Sequence, residues 1–153
     1  MENLKLKLTS FAFSDGGEIP RECGYKNGNR RPPLRFNLIP EATKSLALIM
    51  DDPDAMGAVG KVWVHWVIWN IIPQARASSL IVGDNYAPEG MTDFGEVGYG
   101  GPAPPDKRHT YVFKLYALDS ELDLPDKSTK ADVEKAMEGH ILEQATLTGT
   151  YAP

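Results

Sequence analysis

Cysteine is almost absent from this chain: Cys23 is the only one in 153 residues. No intramolecular disulfide can form, so burial and hydrogen bonding must hold the fold, which suits a reducing compartment. Long apolar runs are missing as well. Charged and polar residues interrupt the opening stretch Met1-Glu-Asn-Leu-Lys-Leu-Lys-Leu-Thr9 from the outset, leaving neither a signal-peptide core nor a membrane span. A cytoplasmic protein without membrane insertion is expected. Positive charge is in deficit, with 16 Lys and Arg against 21 Asp and Glu and a net charge of −5. Such a surface repels phosphate backbones, so nucleic acid is not an expected partner, yet a local pocket of N–H groups and imidazoles can still take a small anion. Close-spaced histidine motifs such as H-x-H or H-E-x-x-H, a G-x-S-x-G elbow and a Walker loop are all lacking. No metal or cofactor is expected.

What is present is an ordinary globular mixture, 42% hydrophobic and 24% charged, in a length that suits one domain spanning residues 1–153. Leu4, Leu6 and Leu8 alternate with Lys5, Lys7 and Thr9, the period-two pattern of a strand with one wet face. The apolar run from Ser45 to Asp52 ends in Asp-Asp-Pro and reads as a buried strand entering a loop. The stretch from Val62 to Ile72 has the aromatic and β-branched composition of a central strand that Pro73 should end. Thr110 to Leu118 makes a third strong strand. One helix is indicated after Ser128 or Thr129. Asp132 stands three residues beyond Thr129, Val133, Ala136, Met137 and His140 recur at helical spacing, and Gly139 should close it. A long Gly- and Pro-rich stretch from Gly83 to Lys107 separates the second and third strands, and function is expected there. The pattern predicts a mostly β fold, an antiparallel β-sandwich with one late helix.

Within the long stretch, Gly98-Tyr-Gly-Gly-Pro-Ala103 formally fits G-x-G-x-x-A. Pro102, Pro104 and Pro105 forbid the helix that a dinucleotide fingerprint must open. The segment reads either as a rigid turn or as a wall where backbone N–H groups approach an anion. Simple alternation puts His65 on the strand face of Trp63, Val67 and Trp69, where it is either a core histidine or a ligand. His109 precedes the third strand on the face of Tyr111 and Phe113, after the charged turn Asp106-Lys107-Arg108, and is equally open. His140, at the helix end, suits the dipole there. Asp52 and Asp54 flank Pro53 as in many surface turns. Two histidines and a carboxylate from three strand ends would make a facial triad for a metal, but no closely spaced ligand pair supports that reading.

Taken together, Pro32-Pro-Leu34, Ser45-Leu-Ala-Leu-Ile-Met-Asp-Asp-Pro-Asp-Ala55, Trp63-Val-His-Trp-Val-Ile-Trp-Asn70, Gly98-Tyr-Gly-Gly-Pro-Ala-Pro-Pro-Asp-Lys-Arg-His-Thr-Tyr111 and Gly149-Thr-Tyr151 resemble the phosphatidylethanolamine-binding family. That family includes the Raf kinase inhibitor protein, the plant flowering-time regulators and short prokaryotic members. The resemblance covers nearly the whole chain and implies a large central sheet with a smaller one. It also implies a ligand pocket drawn from Asp52, Asp54, His65, Gly98, Tyr99, Gly100, Pro102, His109 and Tyr111. Met56 departs from the pattern, because the family usually has a proline there, so a looser loop after Asp54 is expected. The ending soon after Tyr151 is similar to that of prokaryotic members, which lack the C-terminal helix of animal forms and make symmetric dimers. A homodimer is therefore expected.

The function implied is that of a binding protein for a small anion, whether phosphate, a phospholipid headgroup or a carboxylate, that regulates or inhibits a kinase or serine protease and is not an enzyme. In the expected pocket, two imidazoles and glycine N–H groups face the anionic oxygen, while Asp52 orients an imidazole or takes a ligand ammonium. The alternative is a hydrolase-like enzyme in which the same cluster performs acid–base chemistry on a phosphate ester or acyl bond.

Overall fold

The computed structural model describes residues 5–73, 79–80 and 87–153. Leu4, which opens the expected first strand, and Gly83, which opens the expected long connection, lie outside the described residues. In chain order the elements are β1 (Lys7–Thr9), β2 (Gly17–Glu18), β3 (Leu34–Asn37), β4 (Ser45–Asp52), α1 (Ala55–Val59), β5 (Trp63–Ile71), β6 (Ser79–Leu80), β7 (His109–Leu118), α2 (Lys130–Met137) and β8 (Ile141–Tyr151). A five-stranded sheet runs β2-β8-β7-β4-β5, and a smaller sheet runs β1-β3-β6. The one parallel pairing among these strands sets Gly17–Glu18 beside Gly149–Thr150. Among the described residues, no helix is long and apolar enough to cross a membrane.

β4 shows why an unbroken apolar run makes a strand here: all eight of its residues are buried, because its two faces feed two cores. Leu46, Leu48 and Met50 join Leu8, Leu34 and Phe36 of the smaller sheet in one apolar cluster. Ala47 and Ile49 join Val67, Trp69, Val133 and Met137 under α2 in the other. α2 itself is set by its cap. The Asp132 N–H donates to Thr129 Oγ1 at 3.2 Å, and the Thr129 N–H donates to Asp132 Oδ2 at 2.9 Å. At its far end Gly139 takes φ +80°, the left-handed turn that ends helices without steric cost. The Lys130 ammonium, 2.7 Å from the buried Asp51 carboxylate, ties the helix to the end of β4.

The longest strand, β8, is not foreseen by the sequence pattern. Its inward positions are Ala145, Leu147, Gly149 and Tyr151, and Phe13 and Ile19 fill the space that a Gly149 side chain would need.

β5 carries a feature that decides the site. Its register to β4 pairs Met50 with Trp66 but Asp51 with Val64, leaving His65 as an extra residue. This is a β-bulge, which breaks the alternation and re-aims a side chain. Val67 and Trp69 pack under α2, so the expectation that His65 shares their face fails, and the bulge is the reason.

β5 would also be a bare sheet edge, but the segment after residue 86 runs along it. The N–H of Trp69 donates to the carbonyl of Pro88 (3.2 Å), and the N–H groups of Gly90, Asp93 and Gly100 donate to the carbonyls of Val67 (2.8 Å), Val64 (3.0 Å) and His65 (2.9 Å). From residue 87 on, the long stretch is thus ordered by the strand it covers.

Removing the cap hydroxyl with Thr129→Ala should cost about 1 kcal/mol, lowering the unfolding temperature by roughly 2–4 °C for a domain of this size. Differential scanning calorimetry measures the shift, and an unchanged midpoint would show that the reciprocal bonds do not hold α2.

Candidate functional site

The site begins where β4 ends. Asp52 is its last residue, and after Pro53 the chain winds directly into α1. The Ala55 N–H donates to Asp52 Oδ1 at 3.2 Å, and the Thr110 N–H donates to Asp54 Oδ2 at 2.8 Å, so the second carboxylate ties the turn to the start of β7. Met56 does not loosen this segment as expected. Its N–H donates to the Pro53 carbonyl at 3.2 Å, a bond that a proline could not make, and its side chain points out, 54% exposed.

Asp52, His65, His109 and Tyr111 converge on one cavity of about 230 Å³, walled by Ala55, Ala58, Val59, Trp63, Phe94, Ala103 and Pro105. The remaining expected residues stand elsewhere. Asp54 does not line the cavity. Tyr99 turns inward, its hydroxyl donating to the Cys23 carbonyl at 2.8 Å and its ring meeting Trp66 edge-on. Pro102 lines a separate concavity with Arg21 and Tyr151. The glycines do not offer their N–H groups to an anion. Gly98 donates to Gly90 O at 3.2 Å, Gly100 to His65 O at 2.9 Å and Gly101 to Asn29 Oδ1 at 2.7 Å. The loop is therefore a wall and not a donor cradle, because its backbone is spent on Gly90, on the edge of β5 and on Asn29.

The two histidines are in opposite electrostatic states. His65 donates from Nδ1 to the carbonyl of Gly100 at 2.7 Å, since a carbonyl can only accept. That fixes the tautomer and leaves Nε2 as an acceptor with no protein partner among the described residues. Burial lowers the pKa of His65, only partly offset by the Gly100 carbonyl and the charge of Asp52, so the ring is neutral. His109 lies between two carboxylates, with Nδ1 2.6 Å from Asp52 Oδ2 and Nε2 2.7 Å from Asp106 Oδ1. Both nitrogens must donate, so the ring is an imidazolium. Burial opposes its charge, but the bonds to Asp52 and Asp106 outweigh it and raise its pKa. In return the His109 bond holds the Asp106 carboxyl below its usual value.

Two further groups complete the cavity. The indole Nε1–H of Trp63 and the hydroxyl of Tyr111 are buried without a hydrogen-bond partner among the described residues. Burial, then the nearby Asp52 charge, raises the Tyr111 pKa, so it stays a protonated donor. Phe94 stacks flat on Tyr25, with ring centroids 4.0 Å apart, and presents its edge to His65. Trp63, Phe94 and Asp106 were not among the residues indicated by sequence. The signal for Asp106 was its place three residues before His109 in a turn, where a carboxylate can reach back to the ring. Cys23 is buried, its thiol pushed up to about 11 mainly by burial, and it is no nucleophile.

The profile described as phosphatidylethanolamine-binding protein matches residues 9–152. A UPF0098 protein of Methanothermobacter thermautotrophicus is 45% identical over 151 residues, covering 95% of this chain and 98% of that protein. The solved structure of a phosphatidylethanolamine-binding protein homolog from Chlamydia trachomatis aligns with a TM-score of 0.89 at 39% identity, covering 97% of this chain and 98% of the other. A carboxypeptidase Y inhibitor, solved with its cognate proteinase, shares the fold at a TM-score of 0.59 and 18% identity, over 95% of this chain and 82% of its own.

The histidines should titrate on opposite sides of the ordinary value of ~6.5. His109, with a raised pKa, contributes stability that is fully present below ~6.5 and lost as pH rises through its folded value. His65, with a lowered pKa, has the opposite sign and removes stability as pH falls from ~6.5 through its folded value. Nitrogen-15 NMR reads both midpoints and the tautomer. Coincident midpoints, or an Nε2–H tautomer at His65, would contradict the assignment.

Proposed function

The chain belongs to the phosphatidylethanolamine-binding protein family, and on that footing we propose that it binds a small oxyanion, phosphate, a phospholipid headgroup or a carboxylate, and through it regulates or inhibits a serine protease or kinase. One observation carries this reading: two buried donors, Trp63 Nε1–H and Tyr111 O–H, the latter close to the Asp52 carboxylate, make no hydrogen bond of good geometry among the described residues and stand in the wall of the cavity that His65 also lines. A buried donor without an acceptor costs about 1–3 kcal/mol, and a ligand oxygen would relieve it. The apolar remainder of the wall suits the body of a larger acid or the root of a headgroup. The carboxypeptidase Y inhibitor supports the protease arm at the level of fold.

Binding is favoured over turnover by the lining itself. Among the described residues it contains no Ser, Thr, Cys or Lys to act as an activated nucleophile. Asp52 is committed to His109, which leaves Nε2 of His65 as the group able to exchange a proton with a ligand.

An anion in contact with His65 favours the imidazolium and raises its pKa above the lowered value of the free protein. Affinity should therefore grow as pH falls through the window between the bound and free values of His65, with proton uptake on binding. Calorimetric titration with phosphate, acetate and phosphorylethanolamine from about pH 5.5 to 8 measures both. Trp63→Phe and Tyr111→Phe should each weaken binding about fivefold, the equivalent of one hydrogen bond, and His65→Ala should abolish the pH dependence. Flat affinity, unaltered by all three changes, would remove the site. A panel of serine proteases and kinases tests the second half, and steady turnover of an ester that needs His65 would favour the enzyme alternative.

Assembly as a homodimer belongs to the same proposal. Phe11, Leu38, Ile72 and Ile141 are large apolar side chains left exposed, surface that a second copy can cover. Light scattering should give about twice the 16.8 kDa chain mass, and the single-chain mass at micromolar concentration would overturn it.

A further inference from the structure

His109 is fully buried, with a side-chain exposure of 0%, yet both of its ring nitrogens meet carboxylates. The two carboxylates are not equivalent. Asp52 is 4% exposed and also holds the Ala55 N–H at the entry to α1, so it is built into the fold. Asp106 is 44% exposed, sits in the turn before β7, and has otherwise only backbone N–H groups of its own turn near it. Pro105 and His109, on either side of it in the chain, both line the cavity; Asp106 itself does not, and it reaches the site only through its bond to the His109 ring.

The charges add up unfavourably for any incoming anion. Asp52, His109 and Asp106 together carry one net negative charge, His65 is neutral, and the nearby Asp54 is a further carboxylate. A ligand oxyanion that entered beside this set would meet repulsion, unless one carboxylate left as it arrived. Asp106 is the one free to leave, because water can solvate it and an arriving oxyanion takes over its part in keeping the His109 ring charged.

We propose that Asp106 is a built-in competitor for the site: in the free protein its carboxylate occupies Nε2 of His109, and a ligand's carboxylate or phosphate oxygen displaces it. The inference rests on reading the cavity as an oxyanion site and adds which donor receives the oxyanion and what holds that donor in reserve. A carboxylate tethered three residues away has a local concentration far above that of a free ligand, so a simple ion binds weakly. Ligands with further contacts, to Trp63, Tyr111 and the apolar wall, outcompete it. Asp106 thereby filters small cellular anions from the intended ligand. The opposing account, in which Asp106 merely props His109, predicts the reverse sign: removing it would loosen the ring, lower its charge and weaken binding.

The test uses the whole protein with sodium acetate and inorganic phosphate as probes, titrated calorimetrically at constant ionic strength near pH 6.5. Asp106→Ala should bind both ions at least tenfold more tightly than the unmodified chain. Asp106→Asn should gain less, because its amide oxygen still accepts from Nε2 but carries no charge. A gain with acetate equal to that with phosphate would show that the exchange is for any oxyanion, and a gain with phosphate alone would narrow the ligand to phosphate chemistry. In the unmodified protein, carbon-13 NMR of the Asp106 carboxyl should show its depressed titration returning to the ordinary range as anion saturates the site, which keeps the test decisive if the variants fold poorly. Unchanged or weaker binding in folded Asp106 variants, with binding still weakened in Trp63→Phe and Tyr111→Phe, overturns the competitor and leaves the oxyanion site standing. No binding in any of these proteins overturns both.

Discussion

His65 and Gly100 exchange two hydrogen bonds, and the rest of the site depends on them. The Gly100 N–H donates to the His65 carbonyl at 2.9 Å, and the His65 ring donates back to the Gly100 carbonyl at 2.7 Å. The first bond extends the sheet edge and the second is a side chain reading the same residue, so the loop cannot slide along β5 without breaking both. Gly100 must be glycine because the ring of Phe94 occupies the space of a side chain. Asn29 steadies the next residues, accepting from the Gly101 N–H and donating to the Tyr99 carbonyl. Ala103 and Pro105 are thereby brought against the cavity, and the one ring nitrogen of His65 left over is an acceptor. The β-bulge that turns His65 out of step with Val67 makes this clasp possible.

The same few ångströms hold two imidazoles with opposite protonation, and environment alone separates them. His65 meets a carbonyl and aromatic rings, and the charge of Asp52 offsets its burial only in part. His109 meets two carboxylates. Burial disfavours the charged form of both rings, and it wins at His65 while the paired carboxylates win at His109. The consequence is a division of roles. His109 and Asp52 form a buried ion pair that fixes the start of β7 against the end of β4, and His65 keeps a proton-accepting atom within the pH range where ligands and protons exchange.

Much of this was legible in the sequence where residue types report burial. Ser45–Asp52 reads as a strand because every position is buried, and Thr129, Asp132 and Gly139 mark both ends of α2. Asp52, His65, His109 and Tyr111 were named by resemblance and do share one cavity. The rest was hidden for identifiable reasons. A bulge inserts one residue without any required side-chain signature, so alternation misplaced His65. β8 hides its inward face behind two small residues, Ala145 and Gly149, the second demanded by Phe13 and Ile19, which leaves little apolar periodicity to detect. The glycine N–H groups looked available because nothing in a Gly-Pro-rich string shows that the backbone already serves a sheet edge. Asp106 looked like one charge of a solvated turn.

The unpartnered donors bear on selectivity more than on affinity. A fold that leaves the Trp63 indole and the Tyr111 hydroxyl without well-placed acceptors among the described residues gives up stability in the free state, and such local violations concentrate where a protein binds something. A molecule that brings an acceptor to both recovers that loss. One that fills the same volume with carbon leaves the penalty in place and also expels any water able to reach them, so it is rejected by more than the value of the bonds alone. The apolar wall of Ala55, Val59 and Phe94 works in the opposite sense, favouring a ligand with a nonpolar body over a bare ion. The two tendencies overlap only for a molecule with an oxygen-rich head that reaches the Trp63 indole and the Tyr111 hydroxyl and a less polar remainder that packs on Ala55, Val59 and Phe94. These requirements come from side chains of α1, β5, β7 and the segment that covers β5, independently of how either histidine titrates.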